Sequence, residues 1–138
     1  MASSDSPFPG PDVAVTQILV VSDLNRSRSW WVDVLGATIY RAYGGTSVVL
    51  SFAGTWILLV TGGPPSEDKP TITFAPPGTD GHVSHAMTLR VSDCKGTYDE
   101  LLSRGATFLT PPHDWGAEIR AFTQDPDGHL VEISQATR

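Results

Sequence analysis

The chain has 138 residues, the length of one ordinary domain, and its 40% hydrophobic and 17% charged content is typical of a globular protein. Its net charge of −6 at pH 7, without any cluster of Lys and Arg, argues against binding to nucleic acid, because phosphate backbones attract basic surfaces. The single cysteine excludes an intramolecular disulfide, and no apolar run is long enough to span a bilayer.

The N-terminal residues 1–12 (MASSDSPFPGPD) have neither a basic segment nor an apolar core, so they are not typical of a signal peptide. We expect them to form a flexible tail, and we expect a cytoplasmic location by default. Cys94 lies at the start of a predicted helix, where a small half-buried side chain is a better interpretation than a nucleophile.

The first part of the chain alternates β-branched runs with one helical pattern. Ser22 or Asp23 can cap a helix, Leu24, Trp31, Val34 and Leu35 recur at helical spacing, and Gly36 can end that helix in a left-handed conformation. β-branched residues and turn glycines mark the strands around it. The predicted order is strand 13–21, helix from residue 24, and strands 37–42, 47–52 and 56–61.

Residues 62–81 contain five prolines and are interpreted as a linker, within which residues 71–74 could form a short strand. The same order of elements then returns: strand 83–91, helix 94–104, strand 107–110, and a hairpin of residues 118–124 and 129–134. Tyr98, Leu101 and Leu102 are expected to face inward from the second helix. The hairpin turn is the DPDG sequence of residues 125–128, in which proline fixes φ and glycine accepts a positive φ.

The two parts also share short sequences at a nearly constant offset. Val-Ser-Asp occurs at residues 21–23 and 91–93, and Gly-Ala-Thr occurs at residues 36–38 and 105–107. Two matches of this kind indicate a duplicated unit. We therefore predict one domain over residues 13–135, with module one at 13–61, a linker at 62–81 and module two at 82–135.

This order resembles the vicinal oxygen chelate superfamily of glyoxalases, bleomycin-resistance proteins and dioxygenases. The resemblance rests on VVSDL at residues 20–24, WWVDVLG at 30–36 and DPDGHLVEI at 125–133. It implies an α+β fold in which two βαβββ modules form a cupped mixed sheet, and a homodimer, since exposed sheet edges invite a partner. The ligand cavity would form within one chain or across the dimer.

The resemblance also implies a divalent metal held by four side chains, two from each module. At the matching positions this sequence has Thr16, Leu58 or Leu59, Ala86 and Glu132, of which only Glu132 is a suitable ligand. Gln17 and His85 each lie one residue from an expected position, so strand alternation points them to the other face. His82 and His85, three residues apart, would likewise lie on opposite faces of one strand. We therefore expect no cofactor and no conventional bound metal.

The pocket face of module two is expected to include Thr88 and Arg90 beside Thr16 of module one. Arg90 either pairs with Glu132 or binds an anionic group of a ligand. Glu132 is either a general base or half of an ion pair with Arg90 or Arg120. Trp56 and Trp115 either stack on a planar ligand or belong to the core, and the loop 111–116 (PPHDWG) is placed as a lip over the cavity.

Two functions remain open at this point. One is a metal-free pocket that binds or sequesters a small organic molecule, as bleomycin-resistance proteins do. The other is a glyoxalase-like lyase or isomerase, with an atypical metal site or with acid–base catalysis by Glu132. A shared fold cannot decide between them or name a substrate.

Overall fold

The computed structural model describes residues 7–137 and contains ten elements. The tail prediction for residues 1–6 lies outside the described part. The elements are β1 Thr16–Val21, α1 Leu24–Asp33, β2 Thr38–Tyr43, β3 Ser47–Phe52, β4 Thr55–Thr61, β5 Ala86–Arg90, α2 Cys94–Ser103, β6 His113–Asp114, β7 Glu118–Gln124 and β8 Leu130–Ala136. None of the helices in this part of the chain is long and apolar enough to cross a membrane.

The strands form two four-stranded mixed sheets with the same connectivity. Their orders are β1-β4-β3-β2 and β5-β8-β7-β6, and in each the first strand runs parallel to the last strand of its module. The other pairs are antiparallel. Two βαβββ units, each with one helix, therefore make up this α+β fold, as the sequence predicts.

Each helix begins at an aspartate whose side chain accepts a backbone N–H of the first turn. Asp23 accepts from Arg26 at 3.0 Å, and Asp93 accepts from Gly96 at 3.0 Å. Gly36 and Gly105 follow the helices with φ of +82° and +104°, a conformation that costs other residues strain. The repeated residues of the sequence are thus the residues that start and stop the two helices.

The core lies between each helix and one face of its sheet. Trp31 and Cys94 are fully buried, and alternate strand residues pack against them. The buried hydrophobic strand residues are Leu19, Val21, Val48, Leu50, Ile57, Leu59, Ala121, Val131 and Ile133. Two expectations need correction here, since Cys94 is wholly rather than half buried and Leu102 is 40% exposed instead of facing inward.

Strand ends are set by the availability of a partner. Residues 13–15 and 83–85 were predicted as strand, but Thr16 is the first residue of β1 paired with β4, and Ala86 the first of β5 paired with β8. The predicted strand 107–110 is wrong. This segment makes one isolated bridge, Phe108 to Thr123, and Pro111, which has no backbone N–H, follows it. The two-residue β6 lies instead inside the predicted lip loop.

The linker folds back on module one without a strand at residues 71–74. Gly63 and Phe74 exchange backbone hydrogen bonds of 3.0 and 2.9 Å. A Cβ at Gly62 would lie 2.6 Å from the carbonyl oxygen of Phe74, so this approach requires glycine.

Candidate functional site

The face of each sheet that points away from its helix carries the candidate site residues. We call these surfaces the first and second open faces. The first includes Thr16, Ile18, Val20, Tyr40, Val49, Trp56, Leu58 and Val60, and the second includes Ala86, Thr88, Arg90, Glu118, Arg120, Phe122, Leu130, Glu132 and Ser134. Strand alternation places them there, because their neighbours in sequence are the core residues.

The first open face is apolar and partly accessible. Ile18 is 51% and Tyr40 is 60% exposed. The rings of Tyr40 and Trp56 pack edge to face with centroids 5.0 Å apart. Trp56 is half-buried, so its ring is available to a planar molecule that lies on this face.

Apart from Ala86, Phe122 and Leu130, the second open face is polar, and four of its side chains form one hydrogen-bonded row. Arg90 and Arg120 both lie opposite Ser134 in the strand register. Arg90 Nη1 donates to Ser134 Oγ at 3.1 Å, and Ser134 Oγ donates to Glu118 Oε2 at 2.9 Å. Arg120 Nη1 donates to the other oxygen, Glu118 Oε1, at 2.8 Å.

These bonds stabilise the charged form of Glu118. The hydrogen bond from Ser134 and then that from Arg120 lower the pKa of the Glu118 carboxyl below its ordinary value. The sequence argument did not include Glu118. Its position two residues before Arg120 on the same strand was the available signal, because such residues share a face.

Glu132 is engaged through both of its carboxylate oxygens. Thr88 Oγ1 donates to Oε1 at 2.5 Å, as expected for residues paired in register, and Arg120 Nε lies 3.7 Å from Oε2. The side chain of Glu132 is 12% exposed. Of the two arginines suggested for Glu132, the structure therefore selects Arg120, and Arg90 instead lies 3.6 Å from Glu118.

The positions at which the family would hold a metal do not provide a ligand set. Thr16 pairs with Trp56 on β4, and Leu58 and Ala86 have no donor atom in their side chains. Glu132 already accepts a hydroxyl and faces a guanidinium. Across residues 7–137 no three His, Cys, Asp or Glu side chains are grouped so that they could hold a metal ion. The residues present do not fit a four-ligand metal site.

Trp115 lies at the end of the second open face and is 60% exposed. Its ring is 4.2 Å from the His113 ring, and the Arg120 guanidinium lies 5.3 Å from its centroid. Trp115 is therefore a surface residue that contacts the charged row rather than a core residue. Trp56, on the first open face, is half-buried and packs against Tyr40.

The predicted off-register residues lie between the two modules. Gln17 and His85 contribute to two cavities of about 490 Å³ each, one along the edge of β5 and one beside β1. His82 and His85 line the same cavity, and the prediction that they lie on opposite faces of one strand is wrong because neither residue lies in a strand. Both precede β5, and strand alternation does not apply to them.

Comparison with known proteins agrees with this architecture. The family model described as "Glyoxalase/Bleomycin resistance protein/Dioxygenase superfamily" matches residues 13–133. A curated relative, "Glutathione transferase FosA" of Serratia marcescens, is 28% identical over 115 residues, covering 83% of this chain and 74% of that protein. Another, "Probable lactoylglutathione lyase" of Synechocystis, is 28% identical over 125 residues, covering 85% and 90%.

Solved structures of the same fold are more distant in sequence. A glyoxalase/bleomycin resistance protein/dioxygenase from Nocardioides has a TM-score of 0.73 at 18% identity, covering 92% of this chain and 85% of that one. TioX from Micromonospora sp. ML1 has a TM-score of 0.66 at 22% identity, covering 90% and 98%. The chain belongs to the glyoxalase/bleomycin resistance protein/dioxygenase superfamily.

Proposed function

We propose that this protein binds a small organic molecule on its open faces without a metal ion. The proposal rests on the contacts made by Glu132, which stands at the one family ligand position that has a carboxylate in this chain. Its two oxygens face the Thr88 hydroxyl at 2.5 Å and the Arg120 guanidinium at 3.7 Å. A cation entering here would have to displace the Thr88 hydroxyl and would be repelled by the positive charge of the Arg120 guanidinium.

The polarity of the two faces indicates the kind of ligand. Tyr40, Trp56 and Ile18 offer an apolar and aromatic surface, and burial of such a surface supplies about 25 cal/mol per Å². Arg90, Arg120 and Glu118 offer paired charges that suit a polar group with both donors and acceptors. An organic molecule with an aromatic part and a polar part matches both surfaces.

The test begins with elemental analysis of untagged protein, followed by thermal melts with divalent metals and with aromatic antibiotics and metabolites. We expect less than stoichiometric metal, no metal-specific stabilisation, and a rise in melting temperature with at least one organic compound. A ligand at 100 times its Kd stabilises the native state by about 2.7 kcal/mol. Recovery of one tightly held divalent ion per chain would overturn the metal-free proposal.

A matched pair of variants tests the proposed surface. Trp56→Ala removes the aromatic ring from the first open face, whereas Trp115→Ala removes an exposed ring at the end of the second. We expect Trp56→Ala to abolish the ligand-induced shift in melting temperature. Unchanged shifts in both variants would place the ligand elsewhere.

The second candidate is an enzyme, either a metal-independent lyase or isomerase that uses Glu132 or one with an atypical metal site. It is favoured by the enzyme names of two relatives, the FosA glutathione transferase and the lactoylglutathione lyase. Glu132→Gln separates the roles of this side chain. Loss of turnover in a variant with an unchanged melting temperature would support catalysis, whereas a lower melting temperature with ligand binding retained would support a structural carboxylate.

A cytoplasmic location stays a prediction. We also infer that the protein forms a homodimer. Strands β1 and β5 each pair on one side only, and the first open face exposes Ile18 and Tyr40. Unpaired edges and exposed apolar surface both favour association. Light scattering at micromolar concentration should give twice the mass of one chain, and a monomer would contradict the inference.

A further inference from the structure

Three of the four histidines of the chain line a single cavity between the modules. This histidine cavity, of about 490 Å³, lies between β1, the end of the linker and the segments before β5 and β8. Its polar lining groups are Gln17, His82, Ser84, His85 and His129. The remaining histidine, His113, lies on β6, outside this cavity.

His129 is held in one orientation by a buried carboxylate. Its Nδ1 lies 2.8 Å from Asp125 Oδ2, and the side chains are 15% and 0% exposed. Asp125 also accepts the backbone N–H groups of Asp127 and His129 at 3.1 and 2.8 Å, and the Trp31 indole N–H at 3.3 Å. This network fixes the carboxylate, so the imidazole is aligned by a group that cannot easily move.

The hydrogen bond to Asp125 determines which ring nitrogen is available. A carboxylate acts as acceptor, so Nδ1 carries the hydrogen and Nε2 of the neutral ring has the free lone pair. Nε2 makes no hydrogen bond with any other group in residues 7–137. An imidazole oriented in this way by a carboxylate is suited to take a proton.

The lining of the histidine cavity favours an anion. None of the residues that line it is acidic, although the chain as a whole has a net charge of −6. Outside the lining, Asp80 Oδ2 lies 3.3 Å from His82 Nδ1, and the Asp80 side chain is 70% exposed. The amide of Gln17 can donate to a carboxylate oxygen, and Ile18, Val20 and Val83 supply apolar contacts.

We propose that the histidine cavity binds a small organic carboxylate and that Nε2 of His129 takes up one proton as the anion binds. Such an acid is already ionised near neutral pH, so the proton comes from solvent: an O–H bond of hydronium breaks and an N–H bond forms at Nε2. The resulting imidazolium lies between the Asp125 carboxylate and the carboxylate of the ligand, so both of its N–H groups are charge-assisted donors. This site does not depend on the function proposed for the charged second open face.

The test uses benzoate near neutral pH as the probe and benzamide as its neutral isostere, with the histidine rings labelled with ¹⁵N for NMR. We expect benzoate to shift the His129 Nε2 signal to that of a protonated ring in a saturable manner, with His113 unchanged. Benzamide should leave the His129 signal in place. Absence of a His129 shift with benzoate, or an equal shift with benzamide, would overturn the proposal.

Two variants check that the effect comes from this site. Asn at position 129 can still donate to Asp125 but has no atom at the position of Nε2, so His129→Asn should weaken benzoate binding at least tenfold, which is about 1.4 kcal/mol. His113→Asn is the matched control and should bind normally. If His129→Asn does not fold, Gln17→Ala provides the second test, with several-fold weaker binding expected; unchanged affinity in it would contradict the site.

Discussion

The indole Nε1 of Trp31 donates a hydrogen bond of 3.3 Å to Oδ2 of Asp125, a residue 94 positions further along the chain. Trp31 is fully buried in α1 of module one, and Asp125 begins the DPDG turn of module two. This contact joins the core of the first module to the turn that positions His129 and leads into β8. A buried donor and a buried carboxylate satisfy each other across the module boundary.

Replacement of this donor should destabilise the whole fold. Trp31→Phe removes one of the four hydrogen bonds that Asp125 accepts and part of a fully buried side chain, which together should cost about 1–3 kcal/mol in the free energy of unfolding. Trp30→Phe is the matched control, since its ring lies 5.5 Å from that of Trp31 and is only half-buried. Urea denaturation should give a clearly larger loss for Trp31→Phe, and equal losses would mean that the hydrogen bond contributes nothing.

The repeat offers an internal control for a second contact between the modules. Ser22 donates through both its backbone N–H and its hydroxyl to Asp127 Oδ1, at 3.1 and 2.6 Å, whereas the equivalent Ser92 forms no side-chain hydrogen bond in the described part of the chain. Ser22→Ala should therefore lower the free energy of unfolding by about 0.5–1.5 kcal/mol. Ser92→Ala should change it by less than about 0.5 kcal/mol. Chemical denaturation of both variants under one condition measures the difference.

Local chemistry explains why much of the fold could be predicted from the sequence. The Val-Ser-Asp and Gly-Ala-Thr repeats contain the helix caps and the left-handed glycines, and these signals act within a few residues of the chain. Strands β3 and β7 have the bounds expected from their residue patterns and from the turns that flank them. The DPDG turn likewise has Gly128 at a φ of +93°.

The site depends on contacts that local patterns cannot specify. Alternation placed Thr88 and Arg90 on the pocket face, but it left both Arg90 and Arg120 as possible partners of Glu132. The pairing of Glu132 with Arg120 depends on cross-strand register, which involves residues that local patterns do not connect. The histidine cavity was missed for a similar reason. His82 and His85 were treated as strand residues, whereas β5 begins only at Ala86, where its partner β8 becomes available.

The thiol of Cys94 should be unreactive in the native protein. The residue is fully buried, its Sγ lies 3.7 Å from the carbonyl oxygen of Ile133, and burial raises the pKa of the thiol. We expect iodoacetamide at pH 8 to modify the folded chain at least tenfold more slowly than the chain in urea, as followed by mass spectrometry. Rapid native alkylation would show that this end of α2 opens, and would restore Cys94 as a candidate nucleophile.

Glu118 should make stability depend on pH in the acid range. Hydrogen bonds from Ser134 and Arg120 lower its pKa in the folded state below the ordinary value of 4.5. The carboxylate therefore stabilises the fold at pH values above about 4.5, and this contribution is lost as the pH falls through the lower, folded-state pKa. Melting temperatures from pH 7 to pH 3 should fall less steeply in Glu118→Gln than in the unmodified chain. Glu100→Gln, which removes an exposed ion pair with Arg104 on α2, is the control and should retain the original slope. If the melting temperature of Glu118→Gln falls with pH as steeply as that of the unmodified chain, the row from Arg90 through Ser134 to Glu118 and Arg120 does not stabilise the ionised carboxylate.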